Sequence, residues 1–312
     1  MRSETLELPP NTTVHACERY GFSKWTVRNT LVEFEPDYTK QCADGEQGKM
    51  MLDGEFHSMT ELYKTMPSFV QKPYCSGKLP EHTPERYFFL CDFIQMTNEG
   101  PDPIQPTSTL VELHQSSDGE VRVSHQYLPG KPSPGCQWND TWQGFYIQLV
   151  KGALKMYRER NGNWKNLEQL VDRLITHVVP QLLGPLESDG RTVKPTLTHG
   201  DLWDGNIGTS AETGDIYIFD ANAYYAHNEM EIAMWRARFN KVVSGQVYLG
   251  SYLKRTGKSE PAEQFEERSI LYSIYMTLHE SACHYGADFR EECYENLNRL
   301  IDKYAPYANR KT

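Results

Sequence analysis

Asp201 and Asn206 stand five residues apart in the string His199-Gly200-Asp201-Leu202-Trp203-Asp204-Gly205-Asn206. A third oxygen donor, Asp220, follows at the end of the apolar run Ile216-Tyr217-Ile218-Phe219. A positioned carboxylate can take the proton of an attacking hydroxyl. A neutral amide oxygen a loop-length away, with a second carboxylate at a strand end, suits a hard cation that bridges phosphate oxygens, water completing its shell. The chemistry implied is phosphoryl transfer. An isolated Asp-x-x-x-x-Asn spacing is more often an Asx-turn. His199-Gly200 before it, and the strand with its terminal Asp220 after it, turn the reading toward a metal and phosphate site.

Placing these groups requires a loop, the turn-like Glu212-Thr213-Gly214-Asp215, and the strand that ends at Asp220. Upstream, residues 25–43 alternate β-branched and aromatic residues around Pro36-Asp37 and predict a two-strand hairpin. From Gly48 to Met66, Met51, Leu52, Phe56, Met59, Leu62 and Tyr63 recur at helical spacing. Tyr87–Ile94 is a continuous apolar run of the kind a buried strand carries. Thr97–Ser108, polar and proline-containing, predicts an irregular hinge, with a domain boundary near Met96. The remainder predicts helices: one stripe from Trp142 to Tyr157, one from Leu167 to Val178, then Ile270–Leu278 and Tyr294–Ile301. Cys283-His284 falls in one of these helices and reads as packing.

The 312 residues can bury one large core or two modest ones sharing a cleft. A net charge of −10 argues against nucleic acid or an anionic membrane as partner, since both demand a basic surface. No stretch has the roughly 18 consecutive apolar residues of a spanning helix, and the first residues lack a secretory apolar core, so a cytoplasmic protein is expected. Seven scattered cysteines without a Cys-x-x-Cys pair fit reduced thiols. Gly-x-Ser-x-Gly and His-Glu-x-x-His are absent, which sets aside serine-hydrolase and zincin chemistry.

The string from His199 to Asn206, then Phe219-Asp220-Ala221 and Tyr224-Tyr225-Ala226-His227-Asn228-Glu229, resembles the fructosamine-3-kinase and ribulosamine-3-kinase family of aminoglycoside-phosphotransferase-like kinases. Gly54-Glu55-Phe56, Phe88-Phe89-Leu90-Cys91-Asp92-Phe93, Leu113-His114-Gln115 and Trp138 with Trp142 extend the similarity, which looks closest to fungal members. The resemblance implies an α+β, bilobal, protein-kinase-like fold, with a small β-rich N-lobe over residues 1–95 and a mainly helical C-lobe over 96–312. It implies an ATP- and Mg2+-dependent kinase, expected to be a monomer, acting on a hydroxyl of a ketosamine or related sugar-amine acceptor. On that similarity Asp201 is the base and Asn206 and Asp220 hold metal. Glu55, Asp92 and Phe93 lie on the nucleotide side, Glu55 pairing the phosphate-binding lysine. His199, Trp203, Tyr224 and Glu229 shape the acceptor pocket or its frame.

The chain departs from the family at that lysine. Counting back from Gly45-Glu46-Gln47-Gly48-Lys49 puts Gln41 at its position, with Lys40 one residue earlier, and successive strand residues face opposite ways. The hairpin segment from Val27 to Tyr38 contains no glycine. Three readings stay open: a working kinase with Lys40 turned inward by a bulge, or with Lys49 substituting; a pseudokinase that binds without transfer; and a scaffold reused for nucleotide-independent acid/base chemistry through Asp201 or His199.

Overall fold

The computed structural model describes residues 13–18, 28–33, 38–79, 83–117, 139–284 and 288–306, with side chains described from residue 43 onward. In chain order the elements are strands β1 (Thr13–Glu18), β2 (Arg28–Glu33) and β3 (Tyr38–Asp44), helix α1 (Gly45–Thr65), strands β4 (Pro73–Leu79) and β5 (Arg86–Asp92), and helix α2 (Ile104–Ser116). Helices α3 (Trp142–Asn161), α4 (Lys165–Arg173) and α5 (Val179–Leu183) follow, then strands β6 (Thr196–Thr198), β7 (Ile207–Thr209), β8 (Ile216–Ile218) and β9 (Tyr224–Ala226). Helices α6 (Asn228–Ala233), α7 (Gln246–Thr256), α8 (Phe265–Cys283) and α9 (Phe289–Tyr304) complete the order.

By contact the chain forms two compact units. The first comprises the described residues up to Thr109 together with His199–Tyr224. Its main sheet has the order β1-β2-β3-β5-β4, each neighbouring pair antiparallel. The expected hairpin is present as β2 and β3, with β1 beside β2 and β5, then β4, beyond β3. Helix α1 buries Gly48, Leu52, Gly54, Ser58, Met59 and Leu62, and Phe56 meets Phe89 of β5 edge-on at 5.8 Å. The short hairpin of β7 and β8 is tied to the same unit by backbone bonds. Ile218 N donates to the carbonyl of Phe69 (2.9 Å), Thr97 N to that of Thr209 (2.8 Å), and Ala211 N to that of Gln95 (2.7 Å). Residues far apart in sequence are thereby drawn to one place.

The second unit holds Leu110–Ser117, residues 139–198 and residues 225–306 among those described. Its centre is α8, which packs against α3, α6 and α9 and buries side chains on every face, among them Ile270, Leu271, Tyr272, Ile274 and Leu278. The expected stripe from Ile270 to Leu278 is thus part of a helix buried all round. The stripe from Leu167 to Val178 is α4 followed by a π-turn over Leu174–Val178, where Val179 N reaches back five residues to the Leu174 carbonyl. Pro180 has no N–H to offer the carbonyl four residues before it, which favours the wider turn just there.

One element corrects the sequence reading. The stretch expected to be an irregular hinge through Ser108 turns helical at Ile104. Asp102 Oδ1 accepts from Ile104 N at 2.9 Å, and Pro106 lies in the first turn, where its missing N–H costs the helix nothing. Proline was thus a start signal here rather than a breaker.

Candidate active site

Strand β6 delivers the chain to His199, which is fully buried. Its Nδ1 accepts from Asp201 N at 3.3 Å and its Nε2 lies 2.9 Å from the Phe219 carbonyl. Together these bonds fit the tautomer with its proton on Nε2. The His199 carbonyl also accepts from Asn222 N at 3.0 Å. One residue therefore grips the backbone on both sides of Asp220. Gly200 makes this approach possible: its φ is +79°, and a Cβ there would lie 2.1 Å from the Asn222 carbonyl oxygen and 2.8 Å from the Tyr224 ring.

The pairing of β7 with β8 turns a separation in sequence into adjacency. Ile207 faces Ile218 in register, and the Asn206 carbonyl accepts from Phe219 N at 3.1 Å, so Asp220 leaves the hairpin beside Asn206. Asn206 is buried, and its side-chain NH2 donates to the Asp201 carbonyl (2.8 Å) and to Asp201 Oδ2 (3.0 Å), with the Asp220 carbonyl at 3.5 Å. With its donors spent this way, the amide keeps Oδ1 for a cation. Asp201, half-buried, is held at one carboxylate oxygen. Asp220 adopts φ +61°, an uncommon backbone for a residue with a side chain. It is exposed to solvent, yet the mass of protein around it desolvates its carboxyl and pushes it above the ordinary carboxylate range, an effect tempered by the water that reaches it.

Of the residues expected on the nucleotide side, Asp92 and Phe93 follow Cys91 at the end of β5. Burial raises the Cys91 thiol far above the usual range, and the negative charges of Glu55, Asp92 and Asp220 add to that rise. Asp92 accepts from the Tyr74 hydroxyl at 2.5 Å and from Lys72 N at 3.3 Å. Phe93 is 39% exposed. Lys49, the substitute cation considered above, lies on α1 with its ammonium 3.6 Å from Asp53. In β3, Lys40 pairs in register with Leu90 and Gln41 with Phe89; the side chains of both, and Trp138, lie outside the described residues.

Of the residues expected at the acceptor, the Trp203 ring lies across Gly205, where a Cβ would meet it at 2.4 Å, and Tyr224 is buried. Glu229 belongs to the second unit and is 1% exposed. Its carboxylate receives Arg268 Nε (2.8 Å), an Arg268 terminal nitrogen (3.0 Å) and Ser259 N (2.8 Å), so it frames that unit instead of capping its own helix. His227 next to it is buried between the Tyr272 hydroxyl (2.9 Å) and Ser259 Oγ (2.8 Å), and Trp142 Nε1 donates to the same hydroxyl (2.8 Å). Sequence reasoning left Ser58, Ser259, Arg268 and Tyr272 unassigned. Their bonds join segments remote along the chain, and no local spacing marks them.

Among the described residues no group of three His, Cys, Asp or Glu side chains is placed to hold a metal by itself. One carboxylate and one amide oxygen, both hard donors, are the protein's share expected for Mg2+, which keeps waters and takes phosphate oxygens for the rest.

The family model of fructosamine kinase matches residues 30–303. A chloroplastic protein-ribulosamine 3-kinase of Oryza sativa subsp. japonica is 30% identical over 84% of this chain and 70% of its own length. The chain belongs to the fructosamine kinase family. Members of that family are phosphotransferases with an alcohol acceptor. In solved structures, a Haemophilus somnus protein assigned as a fructosamine-3-kinase superposes with a TM-score of 0.72 at 18% identity, covering 93% of this chain and 92% of that one. The choline kinase LicA of Streptococcus pneumoniae, in complex with AMP, reaches 0.59 at 15% identity, covering 95% and 94%. These likenesses fix the fold as the expected α+β, aminoglycoside-phosphotransferase-like one. The fungal closeness expected from the sequence is not shown by these comparisons. Among the described residues no helix is long and apolar enough to cross a membrane.

Proposed function

We propose that this fructosamine kinase family member is an ATP- and Mg2+-dependent kinase that phosphorylates a hydroxyl of a ketosamine, with Asp201 as general base. The observation that carries the reading is the Asn206 amide, whose NH2 group ties Asp201 by its carboxylate and its carbonyl and lies 3.5 Å from the Asp220 carbonyl. These bonds hold Asp201 and Asn206 to one another before substrate arrives, which supports the preorganisation phosphoryl transfer requires. When bound, the magnesium ion would neutralise charge on the transferred phosphoryl group. Asp201 removes the proton of the acceptor hydroxyl as that oxygen attacks. Asn206 keeps its carboxylate aimed, and His199 holds the backbone around Asp220.

In this reading residues 1–95 take the nucleotide, with Glu55, Asp92, Phe93 and Lys40 or Gln41 on its side, and residues 96–312 supply the acceptor side. The AMP bound by LicA supports an adenine nucleotide. Trp203 and Tyr224 bound the acceptor pocket, and His199, buried with its polar atoms engaged, acts as its frame, while Glu229 holds Arg268 and Ser259 within the second unit. That engagement counts against nucleotide-independent chemistry through His199. A cytoplasmic monomer that engages neither nucleic acid nor membrane completes the proposal.

The test is incubation with fructosamine- or ribulosamine-modified lysine, ATP and Mg2+, read by mass spectrometry for gain of one phosphoryl group. Asp201→Asn is expected to lower turnover by about 10²–10⁴ while leaving nucleotide binding in place. Nucleotide binding without turnover in the wild-type protein would favour the pseudokinase reading. Acceptor conversion that survives a chelator would favour the nucleotide-independent one.

A further inference from the structure

A serine inside a helix ordinarily turns its hydroxyl to the carbonyl one turn back. On α1, Thr60 does so toward Phe56 (2.6 Å) and Thr65 toward Glu61 (3.0 Å). Ser58 has another partner. It is 6% exposed, and its Oγ accepts from the backbone N–H of Ala223 at 3.0 Å. Ala223 lies three residues beyond Asp220, and Ser58 lies three residues beyond Glu55, a spacing that puts Ser58 and Glu55 on neighbouring positions of one helix side.

The backbone around Asp220 is held from the catalytic loop by His199 and Asn206, as described above, and these bonds fix it relative to Asp201. On its N-terminal side Ile218 N holds it to the Phe69 carbonyl, just after α1. The bond from Ala223 to Ser58 ties it to α1 itself, and it acts on a segment whose residue at 220 sits at a costly positive φ that surrounding contacts must maintain. The negative charges of Glu55 and Asp220 both raise the Cys91 thiol.

We infer that Ser58 is a positioning residue for phosphoryl transfer: its hydroxyl fastens the Asp220 segment to α1, so that Glu55 and the metal-binding carboxylate keep a fixed separation. The inference rests on the kinase reading above, and the experiment separates the two. Ser58→Ala removes the acceptor and leaves the Ala223 N–H without its partner. Hydrogen–deuterium exchange of the peptide spanning residues 219–226, measured without nucleotide, is expected to speed up markedly in Ser58→Ala and to return toward wild type in Ser58→Thr. In steady-state assays the half-saturating Mg2+ and the KM for ATP should rise roughly five- to thirty-fold, the range a lost buried hydrogen bond supplies. The KM for the acceptor should change by less than about twofold, because a defect confined to metal placement leaves ground-state acceptor binding alone. Thr60→Val, which removes a hydroxyl from the same helix, should alter neither exchange nor metal dependence.

Unchanged exchange in Ser58→Ala, an equal effect from Thr60→Val, or an equal rise in the acceptor KM would overturn the role of Ser58 and leave the kinase reading standing. A wild-type protein without metal-dependent turnover would overturn the kinase reading and this role together.

Discussion

Asp220 sits in a left-handed backbone conformation that few residues other than glycine adopt without support, and its support comes from named neighbours: His199 on either side, Asn206 beneath and Ser58 beyond. Gly200 is the hinge of this arrangement. Gly200→Ala should destabilise the fold by at least about 2–4 kcal/mol and remove activity, because the new methyl meets the Asn222 carbonyl and the positive φ strains any L side chain. Urea unfolding with the catalytic assay in parallel checks this, and a variant of wild-type stability would refute the close approach. The spacing of Asp201 and Asn206 was legible in the sequence because a loop of that length brings its own ends together. The bracket formed by His199 was not, since it joins residues 20 positions apart through a bond to backbone.

At the scale of elements, the turn between β7 and β8 and the register of their pairing carry Asp220 to Asn206. The strand β8 and the turn before it were readable in the sequence, whereas the short β7 that pairs with it was not. The start of α2 was misread because Pro106 looks the same in a linker and in a first turn, and the capping bond from Asp102 distinguishes the two only once formed. The junction of α6, α8 and the Ser259 segment makes two further predictions. Arg268 is wholly buried against Glu229. Glu229→Gln should cost about 3–5 kcal/mol in urea unfolding, since it strands a buried cation, whereas the double change Glu229→Met with Arg268→Met should recover much of that loss. Burial lowers the His227 imidazole to about 4, with Arg268 pushing the same way and Glu229 opposing. The unfolded chain, with an ordinary histidine, then binds the extra proton between pH 6.5 and about 4. Stability from this group is complete above pH 6.5 and is lost as pH falls toward 4, on the order of 3 kcal/mol in all. Unfolding free energies from pH 7.5 to 4.5 should slope less steeply in His227→Gln than in wild type; parallel slopes would refute the assignment.

For the molecule as a whole, the balance of charge bears on its proposed nucleotide. The chain carries a net charge of −10, and the described carboxylates near Cys91 are Glu55, Asp92 and Asp220. A polyanionic phosphate chain is repelled by such surroundings unless a divalent cation comes with it. Chelation with EDTA should therefore weaken ATP binding by at least about tenfold in calorimetry or thermal-shift titration, and metal-free ATP bound as tightly as its magnesium complex would count against the proposed site.

What the sequence by itself determined is local: the string from His199 to Asn206, the apolar strand that ends in an acid, the helical stripes, and through them the family. Those features are written in neighbouring residues, so periodicity and spacing reveal them. Tertiary structure alone decided that His199–Tyr224 joins the N-terminal sheet and α1 in one compact unit, that Ser58 and His199 hold the Asp220 backbone, and that Glu229 and Arg268 are buried together. Each of these depends on polar groups from remote segments meeting away from water, where an unmade hydrogen bond is expensive and every partner must be found across the fold.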